Sequence, residues 1–474
     1  MSETKNNKKN KMKNLFRAKL APNKVKGLRD KKYTFLLFSL IVILIFGGLG
    51  CKQSTTSDSN NTGDGSSGST SASGKIEIEW WRLWDSKDVF DPQIKAYEKA
   101  YPNIKINYRK LTYAEYEDEI VSALASGKGP DIWSIHNTWL PKHIDKLAPM
   151  PADIMTPDVF GEIFVDVALN DLQDSSGNLY GLPLSVDTLA LYYNKDYFNT
   201  KGLTGPPENW TEFKDYVKEL TQVDSFGNIK LAGAALGTSQ NITRAVDILY
   251  LLMLQNGTKM TDENGEKALF DAKAKTSSGE VYTPGLDALI FYTDFADPKK
   301  SVYTWNPAMH NSIDAFIQEE AAMSFGYSYN DAIIKSKAPN LNYGIASVPQ
   351  IEGSSKEVNF ANYWAEVVSA TSSQQKEAWN FLNYLAKQEN IKSYSEVTGR
   401  PASRKDVIEE QLADPILKVF SKQALTAMSW HQADSSAIEG IFANLIESVA
   451  LGEKEPEDGL NEAVDLVNSQ IKSK

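Results

Sequence analysis

The alternation of apolar and polar positions is clearest between residues 75 and 133. Ile76 and Ile78 alternate with charged neighbours over 75–79, which predicts a strand. Residues 90–101 place Ile94 and Tyr97 on one helical face, and Pro102-Asn103 ends that helix. Residues 104–108 read as a second strand and 113–125 as a second helix closed by Gly127. A third strand starts at 129–133. This β-α-β-α-β order predicts an α/β fold with a parallel sheet, whose ligand edge lies at the C-terminal ends of the strands. Two of those ends carry large side chains: Trp84-Asp85 after the first, and His136-Asn137-Thr138-Trp139 after the third.

Further along, 177–198 opens with a polar turn and continues through Pro183, which lacks an N–H and suits an edge or crossing strand. An apolar strand over 189–193 then runs into Asn194-Lys195-Asp196, where a helix can be capped. The segment reads as a crossing between two bodies of protein. Asp187 is its single carboxylate before the strand, and spacing alone leaves it open whether that side chain faces water or a cleft. A helix begins near 208–213 with Thr211 as its cap, 245–254 is an apolar helix closed by Asn256-Gly257, and 263–284 is a polar loop region. Residues 286–295, 377–386 and 437–471 are helical, the last broken at Gly452.

The first 50 residues differ from the rest. Residues 1–32 hold twelve Lys or Arg against Glu3 and Asp30, and 33–50 is an uncharged apolar run. As a helix that run would reach about 27 Å, nearly a bilayer's hydrocarbon thickness, with the basic flank cytoplasmic. Cys51, the only cysteine, follows, then a Ser/Thr/Gly/Asn tract to residue 74 that predicts a flexible tether. The remaining 400 residues are too many for one core and suggest two lobes. The net charge is −11 overall and about −21 once the basic segment is set aside, which argues against nucleic acid as a partner.

Pro183-Leu184-Ser185, Ala190-Leu191-Tyr192-Tyr193-Asn194 and Phe198 resemble the signature of the family 1 extracellular solute-binding proteins, the maltose-binding-protein-like receptors of ABC importers. Landmarks recur in order over about 75–471: 100–104, 125–132, Pro207 to Phe213, 316–330, 341–349 as a second crossover, and Thr398-Gly399-Arg400-Pro401-Ala402. The resemblance departs at Thr200 and at Glu319-Glu320, where the family favours a charged residue or Asn and a glycine. It implies a two-lobe periplasmic-binding-protein fold with hinge crossovers and an interlobe cleft. The expected division is 1–50 basic and signal or membrane segment, 51–74 tether, 75–185 with 350–402 as lobe 1, and 186–349 with 403–474 as lobe 2 with closing helices.

Gly48-Leu49-Gly50-Cys51 resembles a bacterial lipobox with its leucine displaced by one place, which implies lipidation of Cys51; an uncleaved membrane helix is the alternative. The implied function is an extracytoplasmic, membrane-anchored, monomeric receptor that captures a carbohydrate, an oligosaccharide by its aromatic set, and hands it to ABC importer permease subunits. The expected ligand-binding residues are Trp84, Asp85, Asn137, Trp139, Asp187, Tyr327, Trp364 and Trp430. A ring face takes the C–H patch of a sugar and a neighbouring carboxylate or amide takes its hydroxyls.

No phosphate-binding loop, nucleophile elbow or paired-histidine zinc motif occurs, and His136, His143, His310 and His431 are scattered, so no cofactor, metal or catalytic residue is expected. Abundant carboxylates leave an anchored extracellular glycoside hydrolase as the rival reading. A peptide or other non-sugar solute is another; an amino acid would call for a fixed Arg–Asp pair, for which no motif is visible.

Overall fold

The computed structural model describes residues 74–276 and 278–473. The basic segment, the apolar run, Cys51 and nearly all of the tether therefore lie outside the described residues. Among the described residues no helix is long and apolar enough to cross a membrane.

In chain order the elements that position the site are β1 (Ile76–Arg82), α1 (Asp91–Ala100), β2 (Ile104–Lys110), α2 (Tyr113–Ala125), β3 (Ile132–His136), β4 (Leu182–Pro183), β5 (Asp187–Thr188), β6 (Ala190–Asn194), α3 (Trp210–Leu220), α4 (Ala245–Gln255), β7 (Met323–Gly326), β8 (Tyr343–Ala346), β9 (Asn359–Asn362), β10 (Trp364–Val368), α5 (Ser435–Ala450) and α6 (Pro456–Lys472). The first sheet has the order β2-β1-β3-β10-β4. β1 pairs in parallel with β2 and β3, as the β-α-β-α-β pattern predicts. The sheet is mixed rather than parallel, because β10 runs antiparallel to both β3 and β4. β10 enters from the ligand edge, straight after β9, and so must run back against its neighbours. Pro183 sits in β4 at the sheet's edge, where a missing N–H leaves no ladder bond unmade.

The second sheet, β7-β6-β8, is antiparallel about β6. Its helices include α4, which is apolar all round and buried from Ala245 to Met253. α3 is capped by Asn209, whose side chain accepts from the Glu212 N–H at 2.9 Å, and not by Thr211. Asn209 stands where the chain is still extended, the geometry an N-cap needs, whereas Thr211 is already helical. The polar stretch expected as loop contains a two-stranded hairpin, Ala274–Lys275 with Val281–Tyr282.

Two large apolar cores divide the chain. The first takes Ile78 to Val186, Ala361 to Ile408, and Ala424 with Ala427; the second takes Leu189 to Phe360 and Trp430 to Val467. The chain thus passes between them beside β5, at the Phe360–Ala361 step inside β9, and just after Ala427–Met428. These three segments form one sheet, β5 antiparallel to β9 and Ala427–Met428 parallel to it. The stretch 341–349, expected as the second crossover, is β8 inside the second sheet, and the crossing comes later at β9. Phe360 packs in the second core, Val407 and Ile408 in the first, and Val419 and Phe420 with Ala190 and Tyr192 of β6 in a third, smaller cluster.

Candidate functional site

A cavity of about 750 Å³ lies where the crossings at β5 and β9 meet the ends of β1 and β3 and the start of β10, and both cores contribute walls. It falls within the size range of small-molecule sites.

The first-lobe wall is aromatic. Pairing of Trp364 with His136 sets the start of β10 beside the end of β3. Trp364, half-buried, is the centre of a ring cluster: Trp139 at 5.1 Å, His136 at 5.4 Å, Tyr113 at 6.4 Å and Trp84 at 6.5 Å between centroids, all edge-on. Trp84 stacks on Tyr113 at 5.4 Å and 20° and stays 47% exposed. Its backbone is left-handed, φ 65°. A bulky non-glycine residue pays strain there, and such residues concentrate at ligand sites. Arg244, φ 61°, is a second left-handed residue on the cavity, and Glu319 is the only other such non-glycine among the described residues. Burial and the nearby Arg244 push the His136 pKa down to about 4, so that ring is neutral.

The second-lobe wall is polar. Arg244 stands at the N-cap position of α4 and grips Asp247 in a fork, Nε to Oδ2 at 2.7 Å and Nη2 to Oδ1 at 2.8 Å. Asp247 also accepts from the Tyr327 hydroxyl at 2.5 Å and from the Asn362 amide at 3.4 Å. A carboxylate this buried in an apolar helix needs such partners. It is also favoured by the helix N-terminus. Glu439 on α5 lies 3.8 Å from Arg244, and partial burial raises its pKa. Tyr329 stacks on Tyr327 at 6.0 Å and presents the more open ring.

Asp187 lines the cavity on the first crossing, half-buried. It accepts from the Ser328 N–H at 3.0 Å, the Ser328 hydroxyl at 2.7 Å and the Thr188 N–H at 2.9 Å. Burial nevertheless pushes its pKa up to about 7, the bonds from Ser328 and Thr188 opposing that rise. Trp84, Trp139, Asp187, Tyr327 and Trp364 are therefore brought together on one cavity.

Asp85, Asn137 and Trp430 are not. Asp85 turns inward. It pairs with the buried Arg82, accepts from Arg400 at 2.9 Å and from the Tyr394 hydroxyl at 2.9 Å, while Arg82 also holds Glu366 at 2.7 Å. Burial acts to raise the Asp85 pKa, but Arg82 and Arg400 outweigh it and hold the carboxyl below its ordinary value. A guanidinium buried on β1 must be paired, and Asp85 is spent on that duty. Asn137 is fully buried. Its amide donates to Asp171 at 3.0 Å, and its backbone N–H donates to the Tyr363 carbonyl at 3.1 Å, bracing β3 against the link between β9 and β10. Trp430 lies in the second core, edge-on to Tyr250 at 5.3 Å and to Phe442 at 6.2 Å. Tyr250 stands in front of it and faces the cavity instead.

Nothing in the local sequence marks Tyr113, Tyr329 or Glu439. Arg244 and Asp247 carry a visible signal: an Arg and, three places on, a lone acid opening an otherwise apolar helix. Among the described residues no group of three or more His, Cys, Asp or Glu side chains could hold a metal ion.

The profile of the family described as bacterial extracellular solute-binding protein matches residues 93–419. The chain is 23% identical over 475 residues to the galactooligosaccharide-binding protein of Bacillus subtilis, covering 94% of this chain and 98% of that one. To the maltodextrin-binding protein of the same organism it is 27% identical over 317 residues, 63% of this chain and 68% of the other. A solved structure, the cyclic α-maltosyl-1,6-maltose binding protein from Arthrobacter globiformis, matches with a TM-score of 0.70 at 20% identity, covering 85% of this chain and 100% of that one. That likeness is one of fold.

Proposed function

Since the chain belongs to the bacterial extracellular solute-binding proteins, we propose that it is the carbohydrate receptor of an ABC importer, binding an oligosaccharide between its lobes. The observation that carries this is the pairing of an aromatic wall, Trp84, Tyr113, Trp139 and Trp364, with a wall of fixed hydrogen-bonding groups, Arg244, Asp187, Glu439 and Tyr329, across one cavity. Ring faces take the C–H faces of pyranose units, and the polar wall takes their hydroxyls. Asp247 is saturated by Arg244, Tyr327 and Asn362, so this Arg–Asp pair offers no free carboxylate to the ammonium of an amino acid.

In this reading Trp84, Trp139, Asp187, Tyr327 and Trp364 remain the contact residues expected from sequence, joined by Tyr113, Tyr329, Arg244 and Glu439. The protein delivers its ligand to permease subunits unchanged and is not an enzyme. It is held at the outer face of the membrane through Cys51 or the apolar run before it, and acts as a monomer. Metabolic labelling with a fatty acid tests the anchor: wild type takes the label and Cys51→Ser does not.

A thermal-shift screen against malto- and galacto-oligosaccharides, monosaccharides and peptides tests the ligand class. A sugar at 100 times its Kd should add about 2.7 kcal/mol of stability. Stabilisation by a peptide and by no sugar would overturn the reading, and release of reducing ends from the sugars would turn it into a hydrolase.

A further inference from the structure

Two contacts join the lobes directly beside the cavity. Lys142, in the short helix Leu140–His143, reaches Glu117 at 2.6 Å and Asp434 at 2.9 Å. Next to it the Trp139 indole N–H donates to the Ser435 hydroxyl at 2.7 Å. Leu140 packs in the first core, and Ile438 and Phe442, on the helix that starts at Ser435, pack in the second. Each contact therefore ties one core to the other. Lys142 and Asp434 do not line the cavity, whereas their neighbours Trp139 and Ser435 do.

We propose that Lys142 and Asp434, with the Trp139–Ser435 hydrogen bond beside them, form a latch that holds the two lobes together and sets how readily the site opens; that the latch thereby tunes sugar affinity rests on the carbohydrate reading above.

Three features make the pair more than a surface coincidence. Lys142 is held in place on its own lobe by Glu117, which is itself held by His143 at 3.0 Å, so little side-chain freedom is lost when Asp434 arrives. Asp434 has two tasks: one oxygen caps α5, accepting from the Ala437 N–H at 3.0 Å, and the other takes Lys142. The cap fixes the carboxylate, so the partner is preorganised too. Burial acts to lower the Lys142 pKa and to raise that of Asp434, yet bonding within the cluster reverses both, so each stays charged. The latch also touches the aromatic wall, because the Trp139 ring meets Trp364 edge-on at 5.1 Å and 72°. A ring stacked on Trp364 would press on the indole that carries one of the two bonds. Where binding needs joined lobes, apparent affinity scales with the joined fraction.

The test reads lobe separation without sugar. In full-length detergent-solubilised protein carrying Cys51→Ser, spin labels are attached at Lys128→Cys on the first lobe and Lys299→Cys on the second, both exposed positions. Electron–electron double resonance then gives the distance distribution. Lys142→Met and Asp434→Ser should each raise the population at separated distances about threefold to fivefold, as for one partly exposed ion pair. The double variant should add little to either single one. Serine keeps a capping hydroxyl, so Asp434→Ser separates the latch from the helix cap. An unchanged distribution in Asp434→Ser with an unchanged melting curve would overturn the proposal. A shifted distribution in a protein that binds no sugar leaves the latch standing and removes the ligand reading; sugar binding with an unshifted distribution does the reverse.

Discussion

The two walls of the cavity are built on opposite plans. The first-lobe wall is a raft of rings around Trp364, edge packed on edge, with a strained Trp84 standing clear of the surface. The second-lobe wall is a chain of hydrogen bonds, from Tyr327 to Asp247 to Arg244 and on towards Glu439, resting on a ring layer of Tyr250 and Trp430. One wall gives area without orientation, and the other gives orientation with little area. A ligand that uses both must be amphipathic, with flat C–H faces and hydroxyls at its edges.

If the second wall depends on the rings beneath it, Trp430→Ala should destabilise the fold by about 3–5 kcal/mol, the cost of emptying a packed tryptophan site. Thermal melts would show it; an unchanged melt with weakened sugar binding would return Trp430 to the site. If the first wall works by area, Trp364→Ala should cost at least about 2 kcal/mol of affinity, as a central ring does. Calorimetric titration with the sugar that gives the largest thermal shift would measure it, and full affinity would remove the raft from the ligand. If the second wall works by order, Tyr327→Phe removes one bond to a buried carboxylate and should cost about 1.5 kcal/mol of stability. A variant that melts with wild type would mean that Arg244 and Asn362 satisfy Asp247 without the tyrosine.

The smallest effect is a slope. Asp187 binds its proton more tightly folded, at about 7, than unfolded. Between the unfolded carboxyl range and about pH 7 the folded state therefore holds more protons, and stability falls as pH rises through that window. His136 acts oppositely: its depressed folded pKa, about 4, costs stability as pH falls below its ordinary value. Asp187→Asn should flatten the first slope and leave the second, which melting curves from pH 4 to 8 would separate.

What could be read in the chain beforehand follows the same division. Elements with their own period were legible: Ile76 and Ile78 for β1, Ile94 and Tyr97 for α1, and the strand and capped helix after Asp187. Trp84 and Trp139 could be placed because a parallel sheet sends the C-terminal ends of its strands to the ligand edge; Trp364 reaches the same edge by opening the antiparallel β10. The polar wall draws Arg244, Tyr329 and Glu439 from three separate helical regions, and no local pattern shows that they meet. Trp430 lies off the cavity, and for a related reason its own sequence does not reveal that Tyr250 packs against it and lines the cavity instead. The resemblance of 341–349 to a family crossover does not place the crossing, because a short strand of that kind can pair within a lobe, as β8 does with β6. Asp85 and Asn137 have the right chemistry in the right neighbourhood, but Arg82 and Asp171 claim them first.

The three crossings have a mechanical consequence. Separate strands could each bend at their own point, letting one lobe twist and slide over the other. Here β5, β9 and Ala427–Met428 are laced edge to edge by backbone hydrogen bonds. Bending one alone would shear its ladder, so the three flex as a single plate. A plate folds easily about one line and resists torsion about any other. Were the lobes to close by flexing this plate, closure would follow one coordinate, and each ring of the raft would meet the same polar group at every stroke.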